Sequence, residues 1–460
     1  MMFQRRKSGY SRLVPFLFLL LSVFCLAACS GSTSEIMLSG SSTAEAEEQD
    51  FEFPPETDKL VIYSDKVLGV QQKLAVERFQ ELYPDVDVEY YNFSQDEYFE
   101  KLRVEIPAGK GPDVVYELST YLPDVYKTMA SGVFIDLNPY FANDPDFCFE
   151  DYNQTVMDAC MLQGKRYIVP IVYIAPILLT SQEILDENGI SAEMLGTYDG
   201  FMDACQQYHQ NHPDQDLLAI GANDQFLQQL YEQTGFKLIN PDTNEIAVKQ
   251  DQLKKLLDVC KSYYPGHDYL FIEEGSAEAL FHRNILFSNM QASLGQHLLG
   301  ACSVKLLGDT PVLFNCPNED GGVSAEIYNY LAIPEGSPNK LNAYRYIKFF
   351  LSETIQYAGM ENGNVNVQIM DGFPIQNLSF DKTMEKELES FDFAQKIADD
   401  FPIYTDRLRE LVSEIDSVFI MRTEMYNSSK KYMFDYIQGR DGFEGAYRKL
   451  MNFLTIYRDE

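Results

Sequence analysis

An α/β protein of two lobes, each a mainly parallel sheet flanked by helices, is what this sequence predicts. Three observations lead there. Short apolar runs suited to buried strands alternate with stretches of helical periodicity. The chain, at 460 residues, is longer than one small core organises. Apolar residues make up 45% of it, an ordinary share for a globular body.

The elements follow in order. Leu60-Val61-Ile62-Tyr63 is a compact apolar run of the kind found in buried parallel strands, and a polar turn, Ser64-Asp65-Lys66, ends it. Ala75, Phe79 and Leu82, spaced four and three apart, predict a helix that stops at Pro84. Val86 and Val88 alternate with acids into a second strand, and strand-helix-strand order implies a right-handed crossover. Asp113-Val114-Val115-Tyr116 reads as a third strand, introduced by Gly109-Lys110-Gly111-Pro112, with its helix ending near Gly132. Tyr167 to Val172 is strand-like again, Pro170 marking an edge or a crossover. Residues 199–300 read as mainly helical, with Leu253, Leu256, Leu257 and Cys260 on one face. Leu408, Leu411, Val412, Ile415, Phe419 and Arg422 keep helical spacing near the end.

The N-terminus has a different character. Arg5, Arg6, Lys7 and Arg12 precede an apolar stretch from Leu13 to Ala28 that is too short to span a bilayer well. It closes in Leu26-Ala27-Ala28-Cys29, which resembles a bacterial lipoprotein signal. Residues 1–28 are then a signal peptide, and Cys29 carries the lipid, giving an extracytoplasmic protein held to the cell membrane. Residues 29–57 are rich in Ser, Gly, Thr, Ala and Glu and bury too little to offset their ordering entropy. Such a tether of roughly 28 residues reaches about 30 Å.

Net charge is −34, and removing the four positive charges of the signal takes the mature chain to −38. A surface that negative disfavours nucleic acid and anionic solutes, leaving neutral or cationic ligands. Beyond the signal lie Cys148, Cys160, Cys205, Cys260, Cys302 and Cys316, with no pair at two-residue spacing. Six cysteines in an exported chain permit fifteen disulfide connectivities, and buried thiols serve equally well in a body this size. Of the five histidines, His209 and His212 stand three apart, but Pro213 follows and no third metal ligand accompanies them. No metal or cofactor is expected.

From Lys59 to Tyr457 several segments, in order, resemble the extracellular solute-binding proteins of the family that includes maltose-binding protein, the receptor components of ABC importers. They begin with Phe79-Gln80-Glu81-Leu82-Tyr83-Pro84 and the more specific Gly109-Lys110-Gly111-Pro112-Asp113-Val114-Val115. Ala130 to Leu137, Gly164 to Pro170, Ile333 through Leu351, and Gly372-Phe373-Pro374-Ile375 continue the match. A departure is the second-lobe segment Asn284 to Met290 with Gly295-Gln296, which lacks the family's usual tryptophan; the chain contains no Trp.

The resemblance implies the type II periplasmic-binding-protein fold, with lobes joined by crossing hinge strands. Residues 58–170 and 313–371 would form the first lobe, and 171–312 with 372–460 a second, helix-rich one. It also implies capture of a small solute, carbohydrate being the family's commonest cargo, by a monomer working with separate permease and ATPase subunits. Ligands in such folds meet the carboxyl ends of strands. Ser64, Asp65 and Lys66 follow the first strand; Tyr116, Glu117 and Ser119 follow the third. Tyr173 lies past the first crossing, Gln296 after the second-lobe strand, and Glu326 and Tyr328 near the return. Two other readings stay open. A surface-anchored carbohydrate hydrolase could use an acidic pair such as Asp65 and Glu117, though no His-Glu-x-x-His or Gly-x-Ser-x-Gly occurs. A sensor or adhesin would keep the fold without transport.

Overall fold

The computed structural model describes residues 51–65, 69–118, 124–218, 223–264, 276–289, 294–357, 372–390 and 399–460. Cys29, Lys66 and Ser119 lie outside them.

The strands are β1 (Lys59–Asp65), β2 (Asp87–Phe93), β3 (Val115–Leu118), β4 (Met161–Leu162), β5 (Lys165–Arg166), β6 (Val169–Ile174) and β7 (Ile177–Ser181). After them come β8 (Asp216–Leu218), β9 (Ile285–Asn289), β10 (Pro311–Asn315), β11 (Ser324–Ala332), β12 (Phe373–Pro374) and β13 (Ser417–Phe419).

β1 and β2 pair in parallel around the helix Gly69–Leu82, as the strand-helix-strand order predicts. Ala75 and Phe79 are buried, while Leu82 at the helix end is 61% exposed and takes no part in the core. A parallel bridge from Ile62 to Val114 joins β1 to the start of β3. β3 in turn runs antiparallel to the C-terminal half of β11.

The glycine-proline-aspartate segment is a structural clamp. Asp113 Oδ2 accepts from Val61 N at 2.6 Å and Asn339 Nδ2 at 3.0 Å, and Oδ1 from the Ser337 hydroxyl at 2.7 Å. Gly109 and Gly111 hold φ of 67° and 97°. A Cβ on the facing Gly336 would stand 2.5 Å from Gly109 Cα, so the turn and its partner loop meet backbone to backbone.

A second sheet runs β10-β7-β9-β8, with β8 and β9 parallel and the other pairs antiparallel. The α/β class thus holds, but the pairing is mixed rather than mainly parallel. β7 runs against β9 and β10, and β11 runs against β3 and β6 though parallel to β13. β11 is the longest strand and serves twice. One edge takes β3 along residues 329–332 and β13 along 324–326, while the other takes β6.

The helix Gln250–Tyr263 buries Leu253, Leu256, Leu257 and Cys260 as expected. The C-terminal series is interrupted, however: the helix Phe401–Ser413 ends before Ile415, and Phe419 belongs to β13. Pairing with β11 and the bond from Val323 N to Asp416 Oδ1 at 3.1 Å pull this stretch out of helix. Among the described residues no helix is long and apolar enough to cross a membrane.

Candidate functional site

β11 pairs with β3, β6 and β13, and its residues define the candidate site. Glu326 pairs with Ile174 on one side and Phe419 on the other, so these three side chains share a face, and all are only partly buried. The register slips around Tyr328, giving a bulge in the middle of the strand. Because of it Asn329 pairs with Val172, two residues before Ile174, and so returns to the Glu326 face. Asn329 is 2% exposed; its Nδ2 donates to Tyr116 Oη at 2.9 Å, and its Oδ1 has no partner.

The helix Asn223–Gln233 brings a second carboxylate to this strand. Just past its end, Gly235 has φ of 55°, and a Cβ there would overlap Ser324 Cβ and stand 2.9 Å from its Oγ. Only glycine lets the chain come so close to β11. Glu232 accepts from Gln228 Nε2 at 2.7 Å. Burial raises its carboxyl to about 7, against that hydrogen bond. Burial also raises Glu326 well above the usual carboxylate range, and the charge of Glu232 raises it further. Tyr231 packs at a tilt against Tyr426, 5.0 Å between ring centres, near buried Glu319, whose carboxyl is likewise raised by burial.

The expected contact residues divide. Glu326 and Tyr328 lie on the shared strand. Ser64 and Asp65 end β1 and are buried, Ser64 Oγ donating to the Asp65 carbonyl at 3.0 Å. Glu117 is described by its backbone, paired with Tyr330. Tyr116 is a core residue: its ring meets Phe350, and its carbonyl accepts from Tyr98 Oη at 2.6 Å. Gln296 is exposed on the helix Leu294–Leu307. Tyr173 pairs with Ile327, hence faces the opposite side of the sheet from Glu326. There it packs on Phe373 at 5.5 Å and borders a separate pocket of about 280 Å³ with Asn153, Pro374 and Arg409. Glu232, Asn329, Ile174 and Phe419 escaped the strand-end reasoning. Glu232 sits on a helix far away in sequence, and nothing local ties it to β11.

Residues 71–264 match the family model described as bacterial extracellular solute-binding protein. No curated protein sequence matches the chain. Among solved structures, the sugar-binding protein MalE from Xanthomonas citri aligns with a TM-score of 0.60 at 16% identity, covering 87% of this chain and 98% of that one. An ABC substrate-binding protein from Listeria monocytogenes, solved with cycloalternan, aligns at 0.56 and 14% identity over 87% and 98%. The GacH receptor of Streptomyces glaucescens, solved unliganded and with acarbose, gives 0.54 and 16% over 88% and 98%. These neighbours are two-lobed, and their fold is the one built here around β6 and β11. Residues 71–264 thus carry the pattern of bacterial extracellular solute-binding proteins, and the fold is that of these two-lobed neighbours.

Proposed function

We propose that the protein is a lipid-anchored receptor outside the cytoplasm. It captures a small solute, of carbohydrate type, in a cleft between two lobes and delivers it to an ABC permease driven by a separate ATPase. The observation that carries this reading is the double use of β11, whose two halves pair with different partners on one edge. A strand shared in this way suits a hinge. Contacts to both lobes form only when the lobes close, so a solute shifts the open–closed balance by its differential affinity. The lobes would divide near residues 170, 312 and 371. The cleft would be lined by the Glu326 and Tyr328 face of β11 together with the segments after β1 and β3, including Asp65, Lys66, Glu117 and Ser119. Cys29 would carry the lipid, with a second acyl chain making attachment lasting.

The test is a thermal-shift screen of the body from residue 51 against sugars, polyols and amines, followed by small-angle scattering. A ligand at 100 times its dissociation constant adds about 2.7 kcal/mol. A hit should also reduce the radius of gyration. No hit in any class, or a hit without compaction, would sink the receptor reading.

The raised Glu232 and Glu326 favour one alternative, a surface hydrolase using them as acid and base. Turnover of a glycan panel would establish it; binding without turnover supports the receptor.

A further inference from the structure

The pocket of about 280 Å³ beside Tyr173 lies on the face of the sheet away from Glu326. Part of its lining is apolar and buried: Tyr173, Phe380, Pro374 and Ile415. The rest is polar and half-buried or exposed, with Asn153, Thr155, Asn377 and Ser413 beside the pair Arg409 and Asp381. An apolar floor with a few convergent polar groups is how small-molecule sites are built.

Its walls come from segments far apart in the chain. Asn153 caps the helix Gln154–Asp158, its side chain accepting from Val156 N at 3.2 Å. Pro374 belongs to β12, which pairs with β6 at Tyr173 and Val172. Phe380 and Asp381 sit on the helix Asn377–Ser390, Arg409 and Ser413 on the helix Phe401–Ser413. In the receptor reading Asn153 and Thr155 belong to the first lobe and the other lining residues to the second. The pocket therefore bridges the proposed lobe boundary, the kind of place where ligand sites concentrate.

Bonding capacity is left over on the polar side. Asn377 Nδ2 donates to the Glu150 carbonyl at 3.2 Å, while its Oδ1 and the Thr155 hydroxyl have no partner among the described residues. Arg409 donates to Asp381 at 3.1 Å and to Asp406 at 3.0 Å, in exposed pairs that contribute little and yield easily to another acceptor. The lining holds one positive and one negative side chain, which gives an ion of either sign no net attraction.

We propose that this pocket is a second solute site, distinct from the cleft on the Glu326 face, and that it takes a single neutral sugar ring. Such a ring divides as the pocket does, with C–H groups on its face for Phe380 and Tyr173 and hydroxyls around its edge. Those hydroxyls would donate to Asn377 Oδ1 and Thr155 and accept from Arg409. The volume is at the small end of ligand pockets, which begin at roughly 300 Å³, so one ring fits and a chain of rings does not. The lobe boundary it spans rests on the receptor reading; the pocket itself does not.

Titration calorimetry of residues 51–460, which form one compact unit, with D-glucose, D-galactose, D-mannose and L-arabinose tests this. At least one should bind. Ser413→Trp, which fills the pocket, should weaken it at least tenfold, and Asn377→Ala about fivefold, the worth of one hydrogen bond. Both positions are exposed at helix ends, and melting curves of the unliganded variants check that they fold. A sugar whose affinity is unaltered in both variants occupies another place, which overturns the inference and leaves the receptor standing. Binding of longer glycans with no monosaccharide bound does the same. Glucosamine or glucuronate bound tenfold more tightly than glucose, with that preference lost in Ser413→Trp, overturns the neutral ligand. If neither a monosaccharide nor a longer glycan nor any other solute class binds, the receptor reading fails with it.

Discussion

Arg422 donates twice to one oxygen, Asp124 Oδ2, from Nε at 2.9 Å and from Nη2 at 2.6 Å, in a pair whose side chains are 5% and 4% exposed. The same oxygen accepts from Tyr457 Oη at 2.6 Å, and Asp124 Oδ1 caps the helix Val125–Ala130 through the amides of Tyr126 and Lys127. Three distant segments therefore converge on one carboxylate.

Arg422→Met should cost about 3–5 kcal/mol, because it leaves Asp124 charged and buried with neutral donors, the Tyr457 phenol and two backbone amides, and no counter-charge. Urea denaturation measures this as a lower midpoint. A loss under about 1 kcal/mol would mean that the pair is incidental to the fold.

Asp113→Ala removes the acceptor of three hydrogen bonds, two of them from the buried side chains of Ser337 and Asn339. At about 1–3 kcal/mol per orphaned donor, the variant should lose on the order of 3 kcal/mol. Faster amide exchange at Val61 than at Ile62 would accompany the loss. Unchanged exchange at Val61 would show that the clamp does not hold β1.

Stability of the unliganded protein should fall as pH rises from about 4.5 through about 7. The reason is one of sign. Glu232 and Glu326 titrate higher in the folded state than unfolded, so the folded state binds more protons across that window. Glu326→Gln removes one acid of the pair. It should raise stability by on the order of 1–2 kcal/mol at pH 8 and leave it unchanged at pH 4. Melting curves at the two pH values give the comparison, and a variant less stable at pH 8 would contradict it.

All six cysteines of the body are thiols in the structure; Cys148 is exposed and the other five are buried. Burial raises the thiols of Cys160, Cys205, Cys260, Cys302 and Cys316, which suppresses their reactivity further. A colorimetric thiol reagent should label one cysteine in the native body and six in guanidinium chloride. Reductant should not alter the melting temperature. Loss of stability on reduction would reveal a disulfide.

How far the fold could be read from the chain depended on how local its signals are. The helix Gln250–Tyr263 was legible because its apolar residues repeat within a few positions. The glycines and aspartate of 109–113 were legible because a tight turn requires those residue types. The stretch 415–422 was not, since its helical spacing is overruled by pairing of Ser417 to Phe419 with β11, some 90 positions earlier.

The candidate site was legible only in part. Sequence by itself determined that strand ends would gather polar residues, and it singled out Glu326 and Tyr328. Tertiary structure alone decided that Tyr173 faces away from Glu326, that a bulge turns Asn329 toward it, and that Glu232 arrives from another helix. The physical reason lies in the periodicity of strands. Alternation separates two faces, but β6 is apolar on both, so the pattern carries no mark of which face is open. That distinction comes from what packs against the sheet, and those partners lie far along the chain.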